Sequence, residues 1–214
     1  MRSKIKKYSK NSIQLASRSL QNGSTIILPT DTVYGIAALA GNKKAVEKIF
    51  KIKKRPISLP LIIFVRSIKD AAKIAEFSSL DIKLAKKFWP GQLTLILKKK
   101  KMKIYNGDKR LSKIGIRIPK NKTVLNILSK IKKPLATTSA NLHKEKNDRK
   151  IDNLRILENK NINIAITSNE KMSFKESTLL ETSEKEVKII RLGQINKKII
   201  RKVIKSHGYS HKIK

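Results

Sequence analysis

The apolar positions of this chain switch repeatedly between two spacings. Ile13, Ala16 and Leu20 recur at helical intervals, so Ser12 to Gln21 reads as a helix that Gly23 ends. Thr25 to Leu28 is a short β-branched run, the mark of a buried strand, and Pro29-Thr30-Asp31-Thr32 follows as a polar loop. Ala45, Val46, Ile49, Phe50 and Lys53 return to helical spacing behind Asn42, a residue type that caps helices; Pro56 and Pro60 break that helix. Leu61 to Val65 is the next strand. Ser67 and Ser79 are placed to cap two further helices, and Trp89-Pro90-Gly91 forces a turn. Strands are expected at Leu93 to Leu97 and Ile114 to Ile118, then a helix from Asn121 through Leu128, then a short strand at Leu135-Ala136-Thr137. The charged stretch Lys144 to Lys150 reads as a mobile loop. Ile162 to Ile166, Ser177 to Leu180 and Val187 to Arg191 read as strands, and the tail from Asn196 as a basic helix that frays.

Strands alternate with helices, and the early connections are too long for hairpins. That pattern predicts an α/β fold, a twisted open mixed sheet flanked by helices. With 214 residues, no internal repeat and no linker rich in Gly, Ser or Pro, the expectation is one domain over residues 1–214, with a basic tail from about 196.

Composition narrows the chemistry. There is no cysteine, which removes disulfides, thiolate nucleophiles and Cys-type zinc sites. The histidines are His143, His207 and His211; the last two lack a metal-binding pattern, so no metal site is expected on the protein. No apolar run approaches the roughly 20 residues that span a bilayer, and no apolar segment follows the basic stretch Met1 to Asn11. The expected location is the cytoplasm, with no membrane partner. Net charge is +36, from 51 Lys+Arg against 15 Asp+Glu. Such a charge suits a polyanion such as RNA, but lysines are spread through segments that carry no motif, as codon bias alone would place them.

No phosphate loop, dinucleotide fingerprint or hydrolase elbow is present. Polar groups instead collect at strand ends and in loops, where α/β sheets gather ligands. They are Pro29 to Gly35, Lys53-Lys54-Arg55-Pro56, Arg117, Thr137 to Asn141, Glu176-Ser177-Thr178 and Arg191. Each has a plain alternative. Arg117 alternates with Ile116 and Ile118 and suits an edge strand facing water. Lys53 and Arg55 suit a solvated helix end, and Ser139 and Asn141 suit turns.

Together the segments resemble the YrdC-like family, from about Ser12 to about Asn196. The family's PT[DE]xVYG matches Pro29 to Gly35, its KxRPxxxPL matches Lys53 to Leu61, and its WPGxLT matches Trp89 to Thr94. Ile116-Arg117-Ile118-Pro119, Ser139-Ala140-Asn141, Glu176-Ser177-Thr178 and Arg191-Leu192-Gly193 resemble its remaining blocks in order. The resemblance implies a synthase that forms threonylcarbamoyl-AMP from L-threonine, bicarbonate and ATP, with Mg²⁺ carried by the nucleotide, for tRNA modification. It assigns Lys53, Arg55, Ser139, Asn141, Asn147 and Arg191 to ATP, with Lys53 and Arg55 catalytic. It assigns Thr32, Arg117, Thr137 and Ser177 to threonine. Implied partners are the proteins that transfer the threonylcarbamoyl group to tRNA, with tRNA or other RNA held weakly by the basic surface.

The sequence departs from the family pattern in places. Leu59 stands where a polar residue is usual, and Phe64 where a histidine is common. His143-Lys144-Glu145 replaces Ser-Gly, and Asn147 aligns with a serine. These departures and the charge leave open a second reading, a non-catalytic YrdC-like protein that binds RNA. A third reading, a carbamoyl-transfer relative of the hydrogenase-maturation kind, is disfavoured, since such proteins are much longer and carry zinc-finger cysteines.

Overall fold

Among the described residues six α-helices flank one sheet, and most of their ends are set by local chemistry. The computed structural model describes residues 4–108, 111–146, 148–183, 186–206, 208 and 212–213. The strands are β1 (Ile5–Lys7), β2 (Thr25–Leu28), β3 (Gly35–Leu39), β4 (Ile62–Phe64), β5 (Leu93–Lys98) and β6 (Lys113–Arg117). They continue with β7 (Leu135–Ser139), β8 (Ile162–Thr167), β9 (Thr178–Thr182), β10 (Glu186–Arg191) and β11 (Lys212–Ile213). The helices are α1 (Lys10–Gln21), α2 (Lys43–Lys53), α3 (Ile68–Ile74), α4 (Ser79–Phe88), α5 (Lys122–Ile131) and α6 (Lys197–Ser206). Asn42, Ser67 and Asn121 cap α2, α3 and α5 as expected, each accepting a backbone N–H three residues on. For α4 the cap is Ser78, one residue earlier than expected, because Asp81 bonds back to its N–H and closes a capping box.

The strand order is β1-β8-β2-β3-β7-β4-β6-β5-β9-β10-β11. Pairing is mixed: β8 with β2, β4 with β6 and β5 with β9 run parallel, and β2 with β3, β3 with β7 and β5 with β6 run antiparallel. The sequence reading missed β3. Gly-Ile-Ala-Ala-Leu is wholly buried, so it shows no polar alternation, and it follows directly from the polar loop. It also missed β1, where a single apolar residue gives no period to read.

The two faces of the sheet differ. On one, α1 and α5 pack through Ile13, Leu20, Val124, Ile127 and Leu128 onto Ile26, Leu28, Leu39, Phe64 and Leu135. On the other, α2, α3, α4 and α6 bury the alternate residues, among them Ile63, Leu95, Ile114, Ile116 and Leu180. Each fully buried aliphatic side chain here contributes roughly 1.5–3 kcal/mol against exposure. The α1/α5 cluster includes nothing from β5, β6, β9 or β10, so that half of its face is left for something else. The tail differs from its expectation: α6 buries Ile200, Val203 and Ile204 rather than fraying. Among the described residues no helix is long and apolar enough to cross a membrane.

Candidate functional site

Strand alternation aims the site. On β6, Ile114 and Ile116 point to the four-helix face, so Arg117 must point to the face that α1 and α5 leave uncovered. The strand lies between β4 and β5, so the edge-strand alternative for Arg117 fails. The same parity brings Ile62 and Phe64 from β4, Thr137 from β7, and Ser177 and Leu179 around the start of β9 to one pocket of about 180 Å³. Strict alternation along β10 would send Arg191 to the wrong face. An irregularity between Ile189 and Arg191 sets Arg191 opposite Leu179, on the pocket side.

Arg117 is 3% exposed and held on three sides. Its Nε donates to Gly91 O at 2.9 Å, Nη1 to Thr32 Oγ1 at 2.9 Å, and Nη2 to Asp31 Oδ1 at 2.5 Å. Its guanidinium lies 5.7 Å from the centre of the Phe64 ring, where the family's histidine is common. The loop before it is fixed by Thr30, whose Oγ1 accepts the Thr32 and Val33 N–H groups at 3.0 and 3.1 Å. Thr137 Oγ1 is buried and has no hydrogen-bond partner among the described residues. A buried hydroxyl without a partner is uncommon and points to a missing ligand group. Ser177 Oγ shares a 2.8 Å hydrogen bond with Thr94 Oγ1.

The other end of the pocket is built by the C-terminus of α2. Lys54 ends the helix in the left-handed conformation, φ 51°, and the Arg55 N–H closes the turn on Phe50 O at 2.9 Å. Lys53 falls on the buried stripe of α2 with Val46, Ile49 and Phe50 and so points inward, while Arg55, past the reversal, lines the pocket. Lys53 Nζ donates to Ser139 O at 2.5 Å, to Asn141 O, and to Asn141 Oδ1 at 3.0 Å, which occupies all three ammonium hydrogens. Burial, then Arg55, lowers its pKa to about 7, with Glu176 and Glu145 opposing. Arg55 Nε donates to Leu59 O at 2.9 Å, so Leu59 takes part through its carbonyl whatever its side chain. Arg191 Nη1 pairs with Glu176 Oε2 at 2.7 Å, and its Nε and Nη2 reach Ser177 O at 3.2 and 3.0 Å. Gly193 permits this packing, since a Cβ there would strike the backbone of Glu176, Ser177 and Thr178.

Of the ten residues expected in the site, seven line the pocket: Thr32, Arg55, Arg117, Thr137, Ser139, Ser177 and Arg191. Lys53 and Asn141 stand behind its wall and brace it. Asn147 lies outside the described residues, as do His207 and His211. The segment from Lys144, expected to be loose, is tied down on its near side: Asn141 Nδ2 donates to Glu145 O, and Glu145 pairs with Arg155 at 2.7 Å. Asp31 and Glu176 went unassigned in the sequence reading. Both lie inside quoted motifs, and an arginine buried in a strand needs a counter-ion, which was the available signal.

The bare face of the open mixed sheet thus carries a half-enclosed pocket that Arg55, Arg117 and Arg191 make basic. Residues 18–193 match the family of Sua5, YciO and YrdC proteins, described as Telomere recombination. The chain belongs to that family. A Methanocaldococcus jannaschii protein, named provisionally as a threonylcarbamoyl-AMP synthase, is 36% identical over 188 residues, with 87% of each chain covered. The threonylcarbamoyl-AMP synthase of Pyrococcus abyssi is 31% identical over 195 residues, 90% of this chain and 57% of that protein. The structure of P. abyssi Sua5 complexed with L-threonine superposes with a TM-score of 0.85 at 28% identity, covering 98% of this chain and 61% of the other. The present chain therefore spans about three-fifths of the P. abyssi protein.

Proposed function

We propose that the protein is an L-threonylcarbamoyladenylate synthase, a nucleotidyltransferase that makes threonylcarbamoyl-AMP and pyrophosphate from L-threonine, bicarbonate and ATP. The observation that carries this reading is one pocket with an arginine suited to a carboxylate at one end, Arg117, and Arg55 with the α2 terminus at the other.

Threonine's carboxylate sits on Arg117, and its hydroxyl gives Thr137 Oγ1 the partner it lacks. The threonine amine reacts with bicarbonate to give a carbamate and water. A carbamate oxygen then attacks the α-phosphorus of ATP, forming a P–O bond as the bond to pyrophosphate breaks. The nucleophile is already an anion, so no protein base or thiol is required. The protein's work is to hold mutually repelling anions in line and to stabilise charge on the phosphoryl oxygens. Arg55 and Arg191 face the phosphates, Ser139 lines the wall beside them, and Lys53 and Asn141 hold that wall in place. Among the described residues Glu176 is the sole carboxylate of the pocket lining and is tied to Arg191, so Mg²⁺ would be held by phosphate oxygens, whose charge it would neutralise. Among the described residues no cluster of three His, Asp or Glu side chains could hold a metal.

The adenylate is consumed by proteins that transfer the threonylcarbamoyl group to tRNA in the cytoplasm. RNA itself meets the basic surface weakly and without sequence choice. A non-catalytic RNA-binding role explains neither the unpartnered Thr137 hydroxyl nor the buried Arg117. Purified protein should release pyrophosphate only when ATP, bicarbonate and L-threonine are all present. Release without threonine, or faster with another amino acid, would refute the assignment.

A further inference from the structure

The cations of the pocket are not equivalent. Arg117 and Asp31 form a sequestered pair, with side chains 4% and 9% exposed. Arg191 and Glu176 form an open one, with side chains 36% and 42% exposed, where solvent screens the attraction. Lys53 and Arg55 donate only to carbonyl and amide oxygens and make no ion pair among the described residues. Unpaired positive charge in the pocket lining therefore rests on Arg55, at the α2 end. The Arg117 end is close to neutral although it holds an arginine.

We propose that Asp31 is a specificity-determining residue that cancels the charge of Arg117 and so reserves that end of the pocket for a carboxylate, excluding phosphate. The idea rests on the synthase reading and deepens it. One reaction must bring a carboxylate and a triphosphate into a single small cavity, and an unpaired arginine would attract the triphosphate more strongly because it carries more charge. A paired arginine loses that preference but keeps its directional donors. A guanidinium has five N–H groups, and three of those on Arg117 are used by Gly91, Thr32 and Asp31. The two that remain, one on each terminal nitrogen, match the two oxygens of a carboxylate. Asp31 makes no second ion pair, and its Oδ2 has no hydrogen-bond partner among the described residues, so its charge is committed to Arg117. Its backbone is fixed as well: Asp31 O accepts Gln92 Nε2 at 2.9 Å and the Ser173 N–H at 3.1 Å.

The test is threonine binding by calorimetry, with and without saturating inorganic pyrophosphate as the phosphate probe. In the native protein pyrophosphate should leave the threonine dissociation constant within about threefold. In Asp31→Asn, which keeps the shape and an oxygen for Arg117, the same pyrophosphate should weaken threonine about tenfold or more, and Asp31→Glu should restore the native behaviour. Competition between pyrophosphate and threonine in the native protein would overturn the proposal, and that arm needs no variant to fold. So would an Asp31→Asn protein that unfolds at the native temperature yet binds threonine with no sensitivity to pyrophosphate. A native protein that makes the adenylate but shows either result refutes the role of Asp31 alone. A native protein that binds no threonine refutes the synthase reading with it.

Discussion

Lys53 offers a direct measure of how the site is built. The residue is 1% exposed and its pKa is about 7, against an ordinary 10.5. Between those values the unfolded chain holds a proton that the folded chain lacks. Stability must therefore rise with pH through that window, and the penalty for burying this lysine is felt in full only below about pH 7 in the folded state. From about pH 7.5 to about pH 9.5 the gain attributable to Lys53 is on the order of 2–3 kcal/mol, since each pH unit at a full proton difference is worth a little over 1 kcal/mol. Other groups titrate over the same range, so the comparison is with Lys53→Met. That change also strands the oxygens of Ser139 and Asn141, but the loss is the same at every pH and shifts the curve without altering its slope. Denaturant unfolding at half-unit pH steps, with no nucleotide present, reads the two slopes. Parallel curves for the two proteins would show that Lys53 does not lose its proton in the folded state, and that its three oxygen partners outweigh burial.

Removing the Arg55 guanidinium, as Arg55→Ala, should leave the melting temperature nearly unchanged and lower kcat/KM by about 2–4 kcal/mol in transition-state terms, read from initial rates of pyrophosphate release. Arg117→Lys should raise the threonine KM far more than the ATP KM, because a single ammonium replaces neither the fork nor the links to Gly91, Thr32 and Asp31; equal effects on both substrates would contradict the placement of threonine. Gly193→Ala should reduce both activity and stability, since its Cβ pushes the segment that carries Ser177, and a crystal structure of that variant should show this segment displaced. Binding of tRNA and of an unrelated RNA should be equally weak and fall steeply with salt, while adenylate formation proceeds without RNA; salt-resistant preference for tRNA would reveal a dedicated docking surface.

Much of this protein is written locally. Helix ends follow from single side chains three residues from the N–H they accept, so Asn42, Ser67 and Asn121 were legible without any tertiary context. Strand positions such as Ile114 to Ile118 were legible from β-branched runs, and the order of short polar motifs carried the family. What the sequence could not convey is which charges are already spent. Arg117 and Arg191 read alike on paper, yet one is sealed against Asp31 and the other lies open beside Glu176. Lys53 reads as a phosphate ligand, yet it lies on the buried stripe of α2, and the fold sets Ser139 and Asn141 where they take its hydrogens. Strand β3 stayed hidden because burial on both faces erases the period that marks a strand. The facing of Arg191 depends on an irregularity that breaks that period. Periodicity and capping act over a few residues and so survive in the sequence. Counter-ion pairing, burial and the facing of a bulged strand depend on residues 14 to 86 positions apart, and only the folded chain brings those together.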